Sequence, residues 1–201
     1  ELWYYLGEVY YQLSKQDSAF QCFNRGIGAM SKYDSYNYIG LGKLLLDKNN
    51  TSEAKKNFDK ALQMAPKDVR VLILIADAYI HSKNHNQQQA VTFLNKALEM
   101  DKKNVDAFIL MGDANLLSIE GGGKAMTSYE YAAEYNPKLA KAHSKIGQLY
   151  ARIKNNDESL KAFLNGIAAD STYIPIYREL GELYYQKKQF GKMNIKIDPT
   201  S

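Results

Sequence analysis

Apolar positions along this chain cluster at helical spacing, and the clusters recur. Between Tyr36 and Pro66, the residues Tyr38, Leu41, Gly42 and Leu45 form an i, i+3, i+4, i+7 stripe. A run of turn formers follows, Asp47-Lys48-Asn49-Asn50-Thr51. Helical spacing then resumes with Ala54, Phe58, Ala61 and Leu62, until Pro66 stops the second helix. The stretch predicts two short helices joined by a polar turn. Such a hairpin cannot bury both its apolar faces by itself, so it needs neighbours.

The rest of the chain supplies them. An apolar residue followed by Gly or Ala recurs at Gly7, Gly42, Ala76, Gly112, Gly147 and Gly181, at intervals of 35, 34, 36, 35 and 34 residues. Three positions after this landmark stand Tyr10, Leu45, Tyr79, Asn115, Tyr150 and Tyr184; four before it stand Trp3, Tyr38, Leu72, Phe108, His143 and Tyr177. The second helix repeats too. Its small residue is Ala19, Ala54, Ala90, Ala125 or Ser159, followed four positions later by Phe23, Phe58, Leu94, Tyr129 or Phe163. Three further on come Gly26, Ala61, Ala97, Ala132 and Gly166. A period near 34 residues built of helix pairs indicates an α-solenoid. The small slots let the two helices of a hairpin approach closely, and the aromatics fill the space around them.

This pattern resembles the tetratricopeptide repeat (TPR) family. The resemblance rests on W-x-x-L-G-x-x-Y as Trp3, Leu6, Gly7 and Tyr10, followed by Ala19 and Phe23, with closing prolines at Pro66 and Pro137. It covers residues 1 to about 191 and implies an all-α fold, an α-α superhelix of right-handed, antiparallel hairpins with a concave inner surface. The repeats are expected at about 1–34, 35–68, 69–104, 105–139 and 140–173, with a partial sixth at 174–191 and a frayed or truncated tail at 192–201. One continuous array, 1–191, is the expected domain organisation. The first repeat predicts helices from Glu1 to about Leu13 and from Asp17 to about Met30.

Departures from the pattern carry information. The third repeat is lengthened between its helices at 81–89 and the fourth at 118–124, where Gly121-Gly122-Gly123 is a sequence no helix would choose. Both insertions are expected to be turns on one edge of the solenoid. Asn115 and His143 stand in slots that are aromatic or aliphatic elsewhere, which predicts looser packing in repeats four and five. The aromatic opening, Trp3-Tyr4-Tyr5, is unlike a polar terminal cap and reads as the edge of a longer array, a trimmed piece of a larger protein.

On each first helix, the slots three before, one after and four after the landmark share a face. In the family that face lines the concave groove. Its middle reads Ile39, Leu46, Ile73, Ile80, Ile109 and Leu116, divided by Lys43, Asp77 and Asp113. These nine are the candidate partner-binding residues: apolar anchors for a partner helix or extended peptide, with charges to fix its register. The competing expectation is that tight curvature buries part of these rows between neighbouring first helices. The family's carboxylate clamp needs a Lys–Asn pair that no repeat here has, and Asp77 and Asp113 would repel an acidic tail.

Composition narrows the rest. The chain has 201 residues, a net charge of +4 and one cysteine, Cys22, which excludes an internal disulfide and a Cys-cluster metal site. Residues 105–139 hold five acidic residues against two lysines, so no uniform electrostatic stripe runs along the array. No run of 18 apolar residues is present, so no membrane span is expected. Cytoplasm and periplasm both stay open, because a targeting segment could have been removed. His81 and His85 lie four apart but lack a third ligand, Lys124 is followed by Ala125 where a phosphate loop needs Ser or Thr, and no catalytic constellation is assembled. No enzyme activity, cofactor or metal is expected. The reading is a non-catalytic protein-interaction scaffold that holds a protein or peptide partner. Helical-repeat RNA binding is the alternative, disfavoured by Glu8, Asp77, Asp113 and Glu182 on the inner face. Self-association through the array ends is a third class.

Overall fold

The computed structural model of the protein describes residues 1–28 and 34–186. Among these residues there are eleven helices and no strand. In chain order they are α1 (Leu2–Gln12), α2 (Gln16–Gly26), α3 (Asp34–Asp47), α4 (Thr51–Met64), α5 (Val69–His81), α6 (Gln87–Met100), α7 (Val105–Asn115), α8 (Gly122–Tyr135), α9 (Ala140–Arg152), α10 (Asn156–Ala169) and α11 (Pro175–Gln186). The helices fall where the sequence repeat places them. Met30 and the expected segments at 187–191 and 192–201 lie outside the described residues.

The hairpin turns show why. In the first, second and fifth hairpins the residue seven beyond the landmark, Ser14, Asn49 or Lys154, takes φ 58–59°. The next N–H then donates back to the first helix: Lys15 to Tyr10, Asn50 to Leu45 and Asn155 to Tyr150, each at 2.9 Å. This left-handed closure satisfies a carbonyl that the helix end leaves open. Asn50 and Asn155 also cap the next helix, accepting from the Glu53 and Glu158 N–H groups. The third hairpin closes on the equivalent carbonyl, that of Tyr79, but from Asn86. Its longer turn therefore loops out and returns to the same hydrogen-bonding point.

One expectation is corrected. Gly122 and Gly123 do not form a turn; they open α8. First-turn N–H groups have no partner within the helix, so the entropic penalty of glycine is less damaging there than in a helix interior.

The landmark glycines do what their smallness implies. A Cβ on Gly7, Gly42 or Gly147 would run into the ring of Phe23, Phe58 or Phe163 respectively. All three rings are at most 1% exposed. In the fifth repeat Ser159 takes the alanine slot, and its hydroxyl donates to the Gly147 carbonyl at 2.9 Å, leaving no unpaired polar group there. His143 in its aliphatic slot is half-buried, and its Nε2 donates to the Pro137 carbonyl at 3.0 Å.

The chain divides into two compact units, Glu1–Gly121 and Gly122–Ser201. In the first, the hairpins α1/α2, α3/α4 and α5/α6 stack with α7, each second helix packing on the next first helix. The first helices also pack side by side, α1 on α3, α3 on α5 and α5 on α7. In the second unit α8 packs on α9, α9 pairs with α10, and α11 packs on both.

Candidate partner-binding face

Side-by-side packing of α1, α3, α5 and α7 decides what the candidate face offers. Ile39, Leu46, Ile73, Ile80 and Ile109 are all buried, none more than 8% exposed. Ile39, Leu46, Ile73 and Ile80 belong to the main core together with Tyr4, and Tyr11 packs against them. Leu116 is half-buried. The apolar rows therefore hold neighbouring first helices together, as the competing expectation has it, and present little open surface. Of the charged row, Lys43 is buried, while Asp77 and Asp113 are half-buried.

The charged slots come together as a relay across three repeats. Lys43 Nζ donates to Glu8 Oε2 at 2.8 Å and lies 3.5 Å from Asp77 Oδ2. It also sits 4.5 Å from the centre of the Tyr11 ring. Asp77 Oδ1 is 2.9 Å from Nδ1 of His81, one turn further along α5. The second Glu8 oxygen, Oε1, is buried and makes no hydrogen bond. The row thus holds Glu8, Asp77 and Asp113 against Lys43, three carboxylates to one ammonium.

The environment tunes these groups. Burial would disfavour the charged form of Lys43, but the Glu8 and Asp77 carboxylates outweigh it and raise its pKa. Burial alone would raise Asp77; the His81 hydrogen bond and the Lys43 charge instead hold it below its ordinary value. His81 is raised, first by its hydrogen bond to Asp77. Tyr4, beneath the row, is pushed up by burial and by Glu8 and Asp77.

Both ends of the row carry polar contacts that the three chosen slots leave out. At the helix starts, Arg70 reaches back to the Tyr5 hydroxyl and, at 3.4 Å, to Glu1. Beside it Tyr36 donates to Asp68 at 2.9 Å, and burial with that bond pushes its pKa to about 12. An open depression of about 710 Å³ lies among Glu1, Tyr36, Asp68 and Arg70. At the helix ends a second, also about 710 Å³, is lined by Tyr11, Lys15, Asp47 and Lys83. Glu1, Tyr36 and Arg70 share the slot six before the landmark. Reading that slot as a fourth row would have found them.

Among the described residues no group of three His, Cys, Asp or Glu side chains could hold a metal ion. His81 is spent on Asp77. No helix among them is long and apolar enough to cross a membrane. Cys22 is buried, and burial pushes its thiol pKa up.

Residues 45–87 match the family model described as tetratricopeptide repeat. This span runs from the end of α3 to the start of α6 and includes the relay residue Asp77. That stretch, residues 45–87, is similar to the tetratricopeptide repeat family. Solved TPR-fold structures agree with the architecture. TTC0263, a thermophilic TPR protein of Thermus thermophilus, is 17% identical with a TM-score of 0.67, covering 90% of this chain and 96% of its own. Yeast Tom70 is 17% identical with a TM-score of 0.68, over 93% of this chain but only 39% of Tom70. YrrB, a TPR protein with an unusual peptide-binding site, is 17% identical with a TM-score of 0.54, over 89% of this chain and 90% of its own. At these identities the likeness shows the all-α superhelical fold alone. No curated protein matches the chain.

Proposed function

We propose that this TPR protein is a non-catalytic scaffold whose first unit binds an extended peptide or helix of a partner along the α1–α3–α5–α7 face. The observation that carries the reading is the Glu8–Lys43–Asp77–Asp113 row. Glu8, Asp77 and Asp113 set against Lys43 and His81, with Asp77 and Asp113 half open, favour a ligand with Lys or Arg side chains and repel an acidic one. Ile39, Leu46, Ile73, Ile80 and Ile109 support that row from beneath as its packed floor, and Leu116 is half-buried beside it. The nine residues chosen from the sequence thus divide into supports and contacts. YrrB shows that a protein of this fold can carry a peptide-binding site.

A peptide-display selection on the whole chain tests this. The enriched peptides should carry basic residues, and the double variant Asp77→Asn/Asp113→Asn should lose that preference. Enrichment of acidic peptides, or of the same basic set by the variant, would count against it.

A further inference from the structure

The two oxygens of Asp77 are held by cations of different kinds. Oδ2 faces Lys43 Nζ at 3.5 Å, and that lysine's side chain is only 8% exposed and bonded to Glu8. Lys43 cannot leave without stranding Glu8 in a largely buried place. Oδ1 faces His81 Nδ1 at 2.9 Å, and the imidazole is 49% exposed. The same Nδ1 lies 3.2 Å from the Asp77 carbonyl. A half-exposed pair of this kind holds weakly, so His81 can turn to water at little cost. Oδ1 is therefore the exchangeable half of the carboxylate and the place where a ligand's cation can enter.

His81 closes α5, where the helix end favours an imidazolium. Its hydrogen bond to Asp77 leads in raising its pKa, joined by the charges of Asp77 and of Asp113 on α7; partial burial and Lys43 of α3 act the other way. Glu8 of α1 stands behind Lys43. Lys43, whose pKa is raised, and Asp77, whose pKa is lowered, both stay charged around neutral pH. Of these three only His81 changes its charge there. The pair is confined to α5: four residues after Glu8, Lys43 and Asp113 stand Gln12, Asp47 and Leu117.

We infer that His81 is an internal competitor for the binding face: charged, it holds Asp77 Oδ1 against a basic ligand, and neutral, it yields that oxygen to the ligand's arginine or lysine. This rests on the basic-ligand reading above and adds its control. Capture is weaker in mild acid and tightens as pH rises through the His81 titration. By linkage, a bound guanidinium takes the partner of the imidazolium and makes its proton easier to lose.

The probe is a peptide of four arginines alternating with four alanines, acetylated and amidated so that it does not titrate. Calorimetry on the whole chain should show affinity rising at least about threefold between about pH 5.5 and about pH 9. His81→Gln, with a neutral side chain, should bind at the high-pH affinity throughout. His81→Lys, which keeps the charge, should bind at the low-pH affinity throughout. His81 is exposed, so circular dichroism of both variants should match the parent. Saturating peptide should lower the His81 midpoint read by proton NMR, and a midpoint that stays put overturns the inference. An affinity independent of pH, with binding still lost in Asp77→Asn/Asp113→Asn, overturns it and leaves the binding face standing. A pH dependence that persists in His81→Gln overturns it as well. Failure to bind at any pH removes both readings.

Discussion

Lys43 donates to Glu8 at 2.8 Å although the two stand a full repeat apart in sequence, one on α3 and the other on α1. Both side chains are largely buried, so each depends on the other to offset lost hydration. Lys43→Met should therefore cost about 3 kcal/mol of unfolding free energy by leaving Glu8 uncompensated. The double variant Glu8→Gln/Lys43→Met should lose clearly less than the sum of the single changes. A urea-denaturation double-mutant cycle measures the difference; additive losses would show that the pair is not coupled.

The Asp77–His81 pair makes stability depend on pH. The His81 pKa is raised in the folded chain, so its contribution is complete below about pH 6.5, the ordinary histidine value. That contribution is lost as pH rises through the raised value. Asp77, held low, works in the opposite sense: its contribution is present above about pH 4 and fades as pH falls through its depressed pKa. Proton NMR should find the His81 midpoint above 6.5 and see it fall in Asp77→Asn. An unchanged midpoint would break the link between the two residues.

Landmark and aromatic vary together. Phenylalanine rings sit over Gly7, Gly42 and Gly147, whereas Ala76 is followed in its hairpin by Leu94. Gly42→Ala should destabilise the chain by about 1–3 kcal/mol through overpacking against Phe58. Adding Phe58→Leu should recover part of that loss by recreating the third repeat's pairing. Thermal unfolding of both variants checks it; a double variant less stable than Gly42→Ala alone would contradict the account.

Burial of the apolar rows also changes what their mutation reports. Ile73 and Ile109 are 8% and 1% exposed. Ile73→Glu with Ile109→Glu should unfold the first unit, because each substitution buries a carboxylate without a partner. Circular dichroism should show lost helix. A variant that stays fully helical would mean these positions are open to solvent after all.

The sequence shows the hairpins clearly because a repeat is a local pattern copied several times. Gly7, Gly42 and Gly147 announce their ring contacts through one-dimensional spacing alone. Depth is a different quantity. Spacing puts Ile39, Ile73 and Ile109 on one face, but how far the first helices close over that face depends on the tilt accumulated between hairpins. Gly122 and Gly123 misled because glycine propensity describes helix interiors, whereas these two stand at a helix start. The relay was present as alternating signs, Glu8, Lys43, Asp77. Its bond lengths needed the packing of α1, α3 and α5.

Mapping a selected basic peptide onto the chain by NMR chemical shifts tests the proposed binding face most directly. The largest perturbations should fall at Asp77, His81 and Asp113, and should vanish in Asp77→Asn/Asp113→Asn. Perturbations centred instead on Phe20, Leu45 and Lys48, on the far side of the hairpins, would place the partner elsewhere and contradict the proposal.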